Sequence, residues 1–191
     1  MTNEQRMKFI GRMAVTGGEA GVVGVMVAAF PILFVGSVFM GDAAIPVMLL
    51  GHGLLLGYYL ARKLTRDAGF TTEQARVLRI APPIALVIGF LAMDWYWGMI
   101  FDPLTSAMQG VMFGGIAGLI IGLAMLRLPL VAMGGRAAIV PAAMLVAGAI
   151  MGSLAGAMIA MPLLWMAAMP VWQAGVTAAM AGFLEVAAPQ G

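Results

Sequence analysis

Four side chains in this sequence could do chemistry in apolar surroundings: His52 in LLGHGLLLG, Asp94 in AMDWYWGM, Glu19 in TGGEAG and Gln109 in SAMQGVM. His52 is the sole histidine. An imidazole there is a proton-accepting or ligand-contacting group, because histidine titrates near neutrality, or a neutral ring hydrogen-bonded to a neighbouring helix. Asp94 stands directly before Trp95, Tyr96 and Trp97, with a second carboxylate, Asp102, eight residues on. It is a cation- or proton-contacting group facing a bundle interior, or a carboxylate reaching interfacial water beside an aromatic belt. Glu19 reads as a wet group at the start of a span, and Gln109 as a hydrogen-bonding amide between helices.

Other chemistries find no residues. Cysteine is absent, so disulfides, thiolate metal sites and cysteine nucleophiles are excluded together. One histidine makes no multi-histidine metal site, and no phosphate-binding GxxxxGK[ST] or GxSxG occurs. No catalytic residues, enzyme activity, cofactor, metal centre or nucleic-acid partner is expected. The 19 methionines, with MIAM at 158–161 and MAAM at 166–169, raise a Cu(I) path, since thioethers suit that ion. Met26, Met112, Met144 and Met180, spread elsewhere, read as flexible filler.

These groups must be held by membrane helices. The chain is 63% hydrophobic and 9% charged over 191 residues, whereas a soluble domain carries about 25% charged residues. The fold class is therefore an all-α integral membrane protein, a single domain over 1–191. All ten Lys and Arg fall in three clusters: Arg6, Lys8 and Arg12; Arg62, Lys63, Arg66, Arg76 and Arg79; Arg127 and Arg136. The basic-free stretches 13–61, 80–126 and 137–191 each admit two crossings of about 20 residues. Basic residues gather on the cytoplasmic side, so six spans with both termini cytoplasmic are predicted, near 20–40, 43–61, 80–101, 107–126, 137–159 and 163–186. The last hairpin is the weakest, and an interfacial MPLLWMAAMPVWQAG would leave five. Residues 1–19 read as a cytoplasmic amphipathic lead-in. Residues 62–79 read as a cytoplasmic basic loop with a short capped helix after Gly69, near anionic headgroups.

Two patterns bear on packing. VFMGDAAIP at 38–46 echoes VAMGGRAAIVP at 131–141, and GFL at 89–91 recurs at 182–184, both at an offset of 93. Three spans per copy would make an inverted repeat, a recurrent transporter plan; coincidence in an Ala-, Gly-, Leu-, Met- and Val-rich chain is the other reading. Gly110, Gly114, Gly118 and Gly122, and again Gly148, Gly152 and Gly156, recur every fourth residue. Such a glycine zipper lets helix backbones approach closely, within the subunit or at a self-association or pore-lining face. Pro31 is the proline nearest a span centre and the expected kink.

The function expected is a small polytopic inner-membrane transporter or channel for a small cation or proton-coupled solute. The alternative is a non-catalytic structural or assembly subunit of a membrane complex. The expected partners are the lipid bilayer and either further copies of this chain or other membrane subunits.

Overall fold

The computed structural model describes residues 2–29, 40, 43–97, 102–128, 134–161 and 164–184, with the backbone alone at 95–97, 134, 135 and 165. Six helices and no strand occur among them: α1 (Asn3–Gly24), α2 (Ala44–Asp67), α3 (Thr72–Trp97), α4 (Pro103–Met125), α5 (Val140–Ile159) and α6 (Trp165–Phe183). A π-helical turn, Val25–Ala29, extends α1, and a 3-10 turn, Gly134–Ile139, leads into α5. Five helices are long and apolar enough to cross a membrane; the sixth, α6, is 19 residues long and carries Pro170. The chain has the make-up of a multi-pass membrane protein. The expected Pro31 kink, residues 41 and 42 between the first two predicted spans, and the Trp95–Trp97 side chains lie outside the described residues.

Each helix packs on its sequence neighbours, and α6 returns to α1. The result is a ring of six antiparallel helices in chain order. Glycines set its closest contacts. Gly53 and Gly57 on α2 face the backbones of Pro83 and Arg79 on α3, and Gly17 and Gly21 on α1 face Gln173 and Pro170 on α6. Pro82, Pro83 and Pro170 thus sit inside helices where a facing glycine admits the irregular backbone, as membrane helices tolerate. Thr177 Oγ1 donates across the α1–α6 seam to the Met13 carbonyl at 2.9 Å. At the end of that seam the Arg6 and Arg136 guanidiniums both donate to the Gly182 carbonyl, Arg136 at 3.3 Å. Two cations there suit the carbonyl end of α6.

Two stretches differ from the sequence expectation. Residues 3–19, expected as an amphipathic lead-in, are part of α1 itself: a capping box between Thr2 and Gln5 starts the helix at Asn3, and Phe9 and Met13 are already buried core. Arg6, Lys8 and Arg12 lower the average hydropathy there, yet Lys8 and Arg12 are exposed while the opposite face packs. The stretch 62–79 is more helical than expected, and the capped helix foreseen after Gly69 is there as the start of α3. It is the last turn of α2, a short turn with Gly69 at φ +71°, and the first turns of α3. The Lys63–Asp67 ion pair at 2.9 Å supports the end of α2. Thr71 and Gln74 exchange backbone-to-side-chain hydrogen bonds of 3.0 and 3.2 Å to start α3. Leu64, Ala75 and Leu78 face inward, fully buried.

Candidate functional site

The half of the ring nearest its basic end is filled by a core of buried side chains. Phe9, Met13, Leu56, Leu60, Leu64, Leu78, Leu86, Met125 and Met144 are buried in it. The other half holds a partly open cavity of about 300 Å³ to which all six helices contribute, α1 through its π-helical extension. Its wall is apolar, with Phe90, Phe113, Met48, Met93 and Met169 prominent, and three polar side chains interrupt it: His52, Ser106 and Gln109. Each of the three is buried.

His52 reaches this position because α2 and α1 meet there through a glycine. Its imidazole occupies the place a side chain at Gly24 would take. Only 1% of its surface is exposed, and neither Nδ1 nor Nε2 has a hydrogen-bond partner among the described residues. A buried polar group left unpaired costs about 1–3 kcal/mol, so such a group facing a cavity is a natural ligand contact. Ser106 and Gln109 come from the first turns of α4, which Asp102 caps by accepting from the Thr105 amide at 3.0 Å. The i,i+3 spacing turns both into the cavity, with Phe113 one turn on.

Beneath the cavity, Trp172 of α6 is fully buried. Its ring centroid lies 5.8 Å from that of Phe113, and its Nε1 donates to the Gly148 carbonyl at 3.4 Å. The side chain closes the ring interior where the glycines of α4 and α5 interlock. A Cβ built at Gly110 would strike Gly152, one at Gly114 would strike Gly148, and ones at Gly118, Gly122 and Gly156 would strike Met144, Pro141 and Ser106. Each of the seven glycines therefore faces the partner helix of the α4–α5 pair within the subunit.

The remaining sequence candidates are elsewhere. Asp94 is exposed near the end of α3, one residue past cavity-lining Met93. Glu19 is also exposed, but it does not start a helix. It lies within α1, towards its C-terminal part, on an outward face with exposed Val15, Val22 and Met26. Hence His52 and Gln109 come together and the two acids do not join them. Of the methionines in the proposed copper pairs, Met169 alone lines the cavity among the described residues.

Sequence reading passed over Ser106, Trp172 and Gln173, whose side-chain amide is fully buried without a partner among the described residues. The Ser106–Gln109–Phe113 spacing was a usable signal for the first. Nothing local marks the other two, whose burial depends on α6 returning to α1. Comparison with protein-family models, with curated proteins and with solved structures gives no match.

Proposed function

We propose that the chain is a six-span transporter or channel of the cytoplasmic membrane, and that the cavity is its solute site. The observation carrying this is a space of about 300 Å³ walled by all six helices, with His52, Ser106 and Gln109 in an otherwise apolar lining. Ligand sites have this character, and a space of this size is at the small end of their range. Among the described residues the lining holds no carboxylate, so a bare cation would find no counter-charge from them. A small neutral solute able to hydrogen-bond fits better, with the imidazole as the group that accepts or passes a proton. Proteoliposomes test it by swelling in glycerol or urea and by a trapped pH dye. Wild type should pass one of these, and Gln109→Leu should slow it about tenfold, the cost of one hydrogen bond to the solute. No flux of solute or proton above empty vesicles defeats the reading.

One observation favours the subunit reading as a second possibility. Glu19 presents a carboxylate from the outward apolar face of α1, and an ionisable group facing hydrocarbon is costly. A neighbouring membrane helix, from a second copy or another subunit, would relieve that cost. Glu19→Leu should then release the neighbour in size-exclusion chromatography without lowering Tm; unchanged elution of an already monomeric protein rejects it.

A further inference from the structure

We infer that the groove between the basic halves of α2 and α3 binds an anionic phospholipid. The groove lies outside the ring and is independent of what the cavity carries. Its volume is about 1050 Å³. One end is walled by Leu50, Leu54, Tyr58, Ile80 and Ile84, all exposed. The other end is rimmed by Arg62, Arg66, Arg76 and Arg79, with Glu73 as the one acid among the described lining residues.

The groove follows from how the two helices are joined. Gly53 and Gly57 draw the inner face of α2 onto α3 at Pro83 and Arg79, and the side chains on the outer faces diverge around the resulting seam. On α2 the outward stripe runs Leu50, Leu54, Tyr58, Arg62, apolar for two turns and then cationic. The stripe from Leu50 to Arg62 is about 18 Å long at the helical rise. That length suits part of an acyl chain lying in the apolar end with its headgroup among the arginines.

The arginines are available for this. Arg66 is bonded to Asp67 at 2.8 Å, but Arg62, Arg76 and Arg79 make no ion pair among the described residues, and all three are exposed. The Arg79 guanidinium lies 6.0 Å from the centre of the Tyr58 ring, at the junction of the apolar and cationic parts. Basic pockets between membrane helices on the cytoplasmic side are how headgroups of anionic lipids are held. An uncharged lipid would fill the apolar end and leave the guanidiniums without a counter-ion. A phosphate free in solution would leave the apolar end bare.

The test uses the full chain purified in a non-ionic detergent and mixed with equal amounts of phosphatidylglycerol and phosphatidylcholine of the same chain length. Retained lipid is counted by native mass spectrometry. Wild type should keep phosphatidylglycerol in preference. Arg62→Gln, Arg76→Gln and Arg79→Gln together should lose that preference, by about fivefold per arginine. The control Lys8→Gln, Arg12→Gln and Arg127→Gln removes three charges outside the groove and should retain it. Leu54→Trp, which fills the apolar end and leaves every charge, should weaken retention of both lipids and guards against misfolding of the arginine variant. Equal retention of the two lipids by wild type overturns the inference, as does an equal loss in the control. Displacement of the lipid by millimolar inorganic phosphate also overturns it, because the site would then be one for a free anion.

Discussion

At the scale of single residues, His52 shows how far a lone polar group can be read from sequence. Gly51 and Gly53 beside it suggested room around an imidazole, and the glycine that makes that room is also Gly24 on another helix. Burial without a partner among the described residues separates stability from function in a testable way. Replacing a buried, unsatisfied polar group by an apolar one of similar volume is neutral or stabilising. His52→Met should therefore hold or raise Tm, by the equivalent of about 1 kcal/mol, while abolishing any proton-coupled flux. A fall in Tm with flux intact would make His52 a packing residue. Asp102 makes a different prediction. Its hydrogen bond from Thr105 holds its carboxyl below the usual aspartate range. A depressed folded pKa gives stability that is present above the unfolded value and lost as pH falls through the folded one. Melting curves of wild type and Asp102→Ala should therefore differ at neutral pH and converge in acid, below the ordinary aspartate pKa.

Helix elements were legible where apolar runs were long and obscured where one face was polar. The stretch 62–79 looked like a loop with one short helix after Gly69, because its charges were averaged along the chain. In the structure Arg62, Arg66, Arg76 and Arg79 are on outer faces while Leu64, Ala75 and Leu78 turn inward. A helix end and a solvated loop have the same composition, and only the 3.6-residue period separates them. Glycine spacing was more informative, because a four-residue repeat fixes a face without any averaging. It marked both sides of the α4–α5 contact but could not say that each was the other's partner. Gly118→Leu would push a side chain into the Met144 carbonyl, where backbone must move. Its cost should reach or exceed the ~1–3 kcal/mol typical of overpacking, read as loss of the folded monomer in detergent. Gly11 meets nothing within 4 Å, so Gly11→Ala should instead stabilise α1 by about 0.5–1 kcal/mol. Similar losses in both variants would mean that glycine flexibility, not close approach, governs these helices.

For the whole molecule, the decisive feature is closure of the ring between its first and last helices, and this was the least visible in the sequence. Local patterns report neighbours along the chain, whereas α1 and α6 are separated by more than a hundred residues. The signal that existed was Gly17-x-x-x-Gly21, with Thr177 and Gln173 waiting on the partner. The 93-residue echo directs attention elsewhere. It carries Gly17 and Gly21 onto Gly110 and Gly114, and an inverted pair would turn both sets towards equivalent neighbours. Gly17 and Gly21 meet α6, while Gly110 and Gly114 meet α5, the counterpart of α2, so the close contacts do not follow the repeat. Closure can be tested directly because the chain has no cysteine. Met13→Cys with Thr177→Cys places two thiols at a seam where Thr177 Oγ1 is 2.9 Å from the Met13 carbonyl. Mild oxidation in native membranes should give one intramolecular cross-link, seen as a faster-migrating monomer. Cross-linked dimers would show α1 and α6 paired between copies, and the cavity would then be shared between subunits. Absence of any cross-link in a folded protein would open the ring, and with it the cavity on which the transport proposal rests.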